Sequence, residues 1–283
     1  MNSAARFNSA QLSQAFKNAC MAELAALKPG NVHIFADGHG MTVQDFVASA
    51  DAAASVIAKP EWSLGQRIFA SLQATQRAVS CNTNLGIILL CAPLLHAQMM
   101  SKKDALKRSI HAVLRHADLD DAEQVFAAIR LANPGGLGAA QEHDVQQSAS
   151  CTLLQAMQAA AHRDLIAQQY VHDFADVYTG MALYEGLSQQ WQRPAWAATG
   201  VHLYFMSQFL DSHIVRKYGE STAKMVQAEA IEHYHAFLDT HNPKHYQTAL
   251  LTFDAALKAR GLNPGTSADL TVATLFLHEL TRS

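Results

Sequence analysis

The chain has 283 residues, 49 % of them apolar, and a formal charge of −3 at neutral pH. That near-balance leaves no basic face for nucleic acid, and the longest apolar run, Leu85 to Leu95, is too short for a bilayer and contains Pro93. Met1 to Phe7 lacks the apolar segment of a secretory signal, and Cys20, Cys81, Cys91 and Cys151 form no CxxC pair, so reduced thiols and a soluble, cytoplasmic protein are expected.

Helical periodicity dominates, and no segment alternates with period two, so the expected fold is all-α: one compact domain over residues 1–283 with about ten helices. The first helix, about Ala10 to Leu27, ends at Lys28-Pro29-Gly30-Asn31-Val32-His33. Thr42 with Asp45, Ser63 with Gln66 and Ser101 with Asp104 have the spacing of capping boxes. Behind the first two run stripes from Val43 to Ile57 and from Leu64 to Val79. Asn82-Thr83-Asn84 precedes the apolar run, with Thr83 the expected cap, and a further helix from about Ser101 carries Leu106, Ile110, Val113 and Leu114. A long helix is expected around Leu165 to Leu187, and another from Pro194 to about Lys217. The last two run from about Lys244 to Arg260 and from a Ser267 cap to Thr281.

Several polar residues sit where a helix should be apolar. Leu12, Phe16, Ala19, Glu23 and Leu27 lie on one helical face, which puts Glu23 on the line facing the core. A buried carboxylate must be paired, protonated or metal-bound; the alternative is that the helix rolls and leaves Glu23 at the edge. Asp254 borders the stripe of Leu250 and Leu257. Asp269 follows the expected Ser267 cap, where it either complements the helix dipole or meets Asp254 across a short antiparallel connection. Such a carboxylate pair would suit Mg²⁺ completed by phosphate oxygens and water. In Asp211-Ser212-His213-Ile214-Val215-Arg216-Lys217 an acid and two cations recur at helical spacing, which also describes a solvated helix end. Asn82 and Asn84 can cap a helix or, with its free N–H groups, bind ribose or phosphate. The glycines after Pro134 are not followed by Lys-Ser/Thr, so this is no P-loop.

Together these stretches resemble the triphosphoribosyl-dephospho-CoA synthase family. The residues that carry the resemblance are Glu23, Lys28-Pro29-Gly30, His39 and Met41, Asn82-Thr83 with Gly86, Asp211-Ser212 with Arg216-Lys217, and Asn263-Pro264-Gly265 with Ser267-Ala268-Asp269-Leu270. Where the citrate-lyase members are expected to read Asn-Thr-His-Lys-Gly, this chain has Asn84 and Leu85, and Gly40 replaces an Asp. The Asn-Thr-Asn-Leu-Gly form resembles a divergent branch of organisms with tetrahydromethanopterin-linked metabolism. The resemblance implies an all-helical fold and transfer of the triphosphoribosyl group of ATP to the ribose 2′-hydroxyl of 3′-dephospho-CoA, releasing adenine. A related ribosyl or phosphoribosyl transfer in making a one-carbon cofactor is the alternative, and a helical nucleotide-binding protein without catalysis is the rival class. For that chemistry the expected catalytic groups are Glu23 or Asp254 as base and His33 or His39 as acid. Lys28, Asn31, Asn82, Thr83, Asn84, Arg216 and Lys217 are expected on phosphate or nucleotide, and Asp254, Asp269 and Asp211 on Mg²⁺. No nucleic-acid or membrane partner is expected; Ala-rich helical enzymes of this size are often homodimers.

Overall fold

The computed structural model describes residues 7–101, 105–140 and 142–282. Among these it contains fourteen α-helices, one 3₁₀ turn and no strand; the only β-type pairing is two isolated bridges, His33 with Ala36 and Gly38 with Met41. The all-α expectation holds, with more and shorter helices than the ten anticipated. None of them is long and apolar enough to cross a membrane.

The described residues form two compact units. The first takes in the chain up to Asn18, then Val47–Ala175, and the stretch from Glu279 onward. It holds α3 (Leu64–Ala78), α4 (Leu85–Met100), α5 (Leu106–His116), α6 (Leu119–Ala132), α7 (Leu153–Ala160) and α8 (Leu165–Val171). Helix α4 is its centre, buried from Gly86 through Leu95 and packed by α3, α5, α6 and α8. An apolar surface on every side explains why this helix shows no polar face in the sequence. Helix α3 packs closely on α6 because Gly65 has no side chain; a Cβ there would stand 2.6 Å from the Asp121 backbone.

The second unit comprises Ala19–Phe46 and Asp176–His278. It contains α9 (Ala175–Trp191) from Asp176, α10 (Pro194–Gln208), α11 (Ser212–Tyr218), α12 (Glu220–Leu238), a 3₁₀ turn (Pro243–Tyr246), α13 (Gln247–Ala259) and α14 (Gly265–Thr281) to His278. Met206, Ile214, Val226, Phe253, Leu257 and Leu262 meet in one of its apolar clusters. Helices α1 (Ser9–Ala25) and α2 (Val43–Ile57) each contribute residues to both units.

Local signals were legible where a side chain closes the helix end. The boxes Ser63–Gln66 and Thr42–Asp45 form; the Ser101–Asp104 pair lies outside the described residues. Four expectations are corrected. The long helix from Leu165 breaks after Val171, where Asp173 and Phe174 take positive φ of 52° and 62° and Phe174 is fully buried. The helix from Pro194 stops at Gln208, and Asp211 starts a new one by accepting hydrogen bonds from the N–H groups of His213 and Ile214. Helix α14 begins at Gly265, two residues ahead of the expected Ser267 cap, so Asp269 lies beyond its first turn. Thr83 does not cap α4: its hydroxyl is paired with Ser49, while Asn82 Oδ1 accepts the Leu85 N–H.

Candidate active site

Two loops far apart in sequence meet within the second unit. The turn after α1 places Gly30 at φ +81°, and a Cβ there would lie 2.7 Å from Pro264 and 2.9 Å from Leu257. Only glycine satisfies both the left-handed backbone and that approach. The contact seats Lys28-Pro29-Gly30-Asn31-Val32-His33 against α13 and the Asn263-Pro264-Gly265 connection. Asn31 Nδ2 donates to Asn263 Oδ1 at 2.8 Å, and the Gly30 N–H donates to Asp254 Oδ1 at 2.8 Å.

Glu23 is buried, at 4 % exposure, as its place on the helix face implied; it does not sit at the stripe's edge. Its partner is Lys28, fully buried, with Nζ 2.6 Å from Glu23 Oε1. The same ammonium donates to Asn31 Oδ1 at 3.1 Å and Val32 O at 2.6 Å. All three of its N–H donors are therefore used inside the protein, whereas the sequence suggested a phosphate ligand. Burial pushes the Glu23 carboxyl above its ordinary range and the Lys28 ammonium below its own, each partly offset by the other. The two titrate as one unit. Asp269, half-buried on α14, is close enough to Lys28 to favour its charge.

Asp254 is 3 % exposed. Besides the Gly30 N–H it has Lys258 Nζ at 3.0 Å and His33 Nε2 at 3.3 Å, both on Oδ2. The His33 contact is electrostatic, since its geometry is too poor for a hydrogen bond and Nε2 has no other partner. Nδ1 of His33 accepts the Phe35 N–H at 3.3 Å, which puts the ring proton on Nε2, facing Asp254. Burial alone would raise the Asp254 carboxyl, but His33, Lys258 and the Gly30 N–H outweigh it and hold it below the ordinary carboxylate range. Burial lowers His33, against the pull of Asp254. The result is an ionised acid beside a neutral imidazole.

The sequence did not single out Lys258 or His202. Lys258 lies four residues after Asp254, an i,i+4 pair that spacing could have flagged. It also donates to Ala36 O at 3.1 Å, tying the 33–36 turn to α13. His202 lies on an apolar helix; its Nε2 is 3.3 Å from Pro29 O, Nδ1 has no partner, and burial, then Lys28, lowers it to about 3. His39 is exposed, in a left-handed conformation, with Nε2 2.8 Å from Gly30 O.

The other candidates fall in different places. Asp211 is buried and saturated: Oδ1 accepts the N–H groups of His213 and Ile214, and Oδ2 accepts the N–H and hydroxyl of Ser267. Arg216 and Lys217 occupy the last turn of α11, the first half-buried and the second exposed. Asn82, Thr83 and Asn84 belong to the first unit, where Asn84 Nδ2 donates to Thr75 and its Oδ1 is buried without a partner. Among the described residues no group of three or more His, Cys, Asp or Glu side chains is arranged to hold a metal, so the expected carboxylate cluster of Asp254, Asp269 and Asp211 is not assembled as one.

The sequence model of a family described as CitG, ATP:dephospho-CoA triphosphoribosyl transferase, matches residues 9–283. A comparison with curated proteins finds no match. Among solved structures, a crystal structure of a candidate triphosphoribosyl-dephospho-CoA synthase from Archaeoglobus fulgidus shares the fold with a TM-score of 0.64 at 22 % identity. The likeness covers 82 % of this chain and 97 % of that one.

Proposed function

Because the chain belongs to the CitG family of ATP:dephospho-CoA triphosphoribosyl transferases, we propose that the buried pairs Glu23–Lys28 and His33–Asp254 carry its reaction. The chain is a transferase that moves the triphosphoribosyl group of ATP to dephospho-CoA. A C–N bond to adenine breaks at ribose C1′ and a C–O bond to the acceptor 2′-hydroxyl forms there. The hydroxyl must lose a proton, adenine must gain one, and C1′ passes through a state with oxocarbenium character, as in glycoside hydrolysis.

The side chains supply those needs. Asp254, kept ionised, is the carboxylate to face the positive charge at C1′. Neutral His33, its tautomer set by the Phe35 N–H, can take the hydroxyl proton at Nδ1 in place of that N–H. The buried Glu23–Lys28 pair, whose charged forms burial disfavours, is the proton donor for departing adenine, the proton leaving through the Glu23 carboxyl. This reverses the sequence-based roles, in which a histidine was the acid. Arg216 and Lys217 are the proposed triphosphate ligands. The four central side chains are sealed from solvent, so neighbouring backbone must part to admit substrate.

Asp254 and Asp211 are committed to protein donors and do not fit a metal centre in this conformation. Mg²⁺ would enter on the ATP phosphates and supply charge neutralisation there; Asp269 is the proposed protein carboxylate beside it. A cytoplasmic location and a homodimer complete the proposal.

The observation that carries this reading is the convergence of the Lys28–His33 loop and α13 on one buried, ionised Asp254. Incubation with ATP, Mg²⁺ and dephospho-CoA should release adenine and yield an acceptor heavier by the triphosphoribosyl group, read by mass spectrometry. Tight nucleotide binding without adenine would instead mark a binding protein.

A further inference from the structure

We propose that Phe35, with Ile34 beside it, is the platform on which the adenine ring of ATP stacks; the inference rests on the reading of the site given above. Ile34 and Phe35 are 55 % and 51 % exposed, and they are the only consecutive pair among the large apolar side chains exposed in the described residues. Single exposed apolar side chains are ordinary. A fixed pair beside reacting groups calls for an occupant.

The pair is fixed by its backbone. His33 and Ala36 exchange hydrogen bonds, N–H to O, at 3.2 and 2.9 Å, and the Ile34 N–H donates to Leu24 O at 3.0 Å. Lys258 donates to Ala36 O, which anchors the far side of the turn. Phe35 sits directly against the proposed base: its N–H donates to His33 Nδ1, and the two ring centroids are 5.8 Å apart, tilted by 57°. The turn thus presents an aromatic face next to the nitrogen expected to receive the acceptor's proton.

Adenine has the shape and chemistry for that face. In ATP it is bonded to C1′, the carbon at which substitution occurs, so groups that reach C1′ have the base at hand. In the acceptor two carbons, C2′ and C1′, separate the reacting 2′-oxygen from adenine. An aromatic side chain stacked on a base contributes about 1–3 kcal/mol. It would also orient the leaving group before the bond breaks.

The test uses the full chain with Phe35→Ala and Phe35→Tyr. Dissociation constants for ATP and for inorganic tripolyphosphate, which lacks a base, are measured by calorimetry, and KM values for ATP and dephospho-CoA by adenine release. Phe35→Ala should weaken ATP binding roughly ten-fold or more, Phe35→Tyr should restore it, and tripolyphosphate binding and the dephospho-CoA KM should stay put. Unchanged ATP binding in Phe35→Ala overturns the inference, as does a change in the dephospho-CoA KM alone. Conversion of a dimer to a monomer in sedimentation, with ATP binding intact, overturns it by assigning the pair to a second copy of the chain. Because calorimetry needs no turnover, wild-type protein that binds ATP but releases no adenine would defeat the catalytic reading while the stacking inference is still decided.

Discussion

Asp254 draws its hydrogen-bonding partners from two places in the chain: the Gly30 N–H from the loop after α1 and Lys258 from its own helix, with the His33 ring at electrostatic range. Each was visible in the sequence as a type, but only Asp254, His33 and Gly30 were legible as participants. Their neighbours break a pattern, a carboxylate near an apolar stripe and a His beside a Pro-Gly turn. Lys258 breaks none, since a Lys near a helix end is ordinary. His202 was hidden for the opposite reason: one His in an apolar run reads as core, and its contact with Pro29 O spans 173 positions. Gly30 carries the prediction at this scale. Gly30→Ala adds a Cβ at positive φ, costing about 1–3 kcal/mol in strain, and overpacks Pro264 for about 1–3 kcal/mol more. Urea unfolding should show that loss, and an unchanged midpoint would mean the two loops do not abut as described.

Helix boundaries followed the caps. Ser63 with Gln66 and Thr42 with Asp45 announce their helices because both partners are local. The breaks at Asp173-Phe174 and at Asp211 were not legible: the partner of Asp173, His111, lies 62 positions away, and Asp211, a local cap for α11, also binds Ser267, 56 residues on. Asp211 therefore joins two elements, capping α11 and fastening the start of α14. Asp211→Ala removes a cap, for about 0.5–2 kcal/mol, and strands the Ser267 N–H and hydroxyl, for about 1–3 kcal/mol. A loss of about 2–4 kcal/mol in chemical denaturation, the same with or without Mg²⁺, is expected. Stability of this variant that depended on Mg²⁺ would return Asp211 to the metal.

Over the whole molecule, the composition was the surest guide to class; most of the fifteen His are exposed or half-buried, and burial shifts a few of them. His202 and His213 are lowered to about 3 and His96 to about 4, each chiefly by burial. An imidazole whose folded value lies below its unfolded 6.5 binds fewer protons when native. Its stabilisation is intact above pH 6.5 and is lost as pH falls from there toward the folded value. Glu23 and Asp211, raised by burial, act in the opposite direction above their unfolded values of 4.5 and 3.8. The net slope is a sum, but a difference isolates one group. His202→Gln should lose about 1.4 kcal/mol less than wild type between pH 7.5 and 5.5, and parallel curves in urea titrations would show that His202 takes up its proton as readily in the fold as in the unfolded chain.

The catalytic claim is tested most directly by single-turnover release of adenine from ATP and dephospho-CoA by wild type, Glu23→Gln and Asp254→Asn, with circular dichroism to verify the fold. Both variants should keep their helical spectra and slow the release by about 10²–10⁴-fold. Release at the wild-type rate in either folded variant would contradict the assignment of the chemistry to these two buried carboxyls.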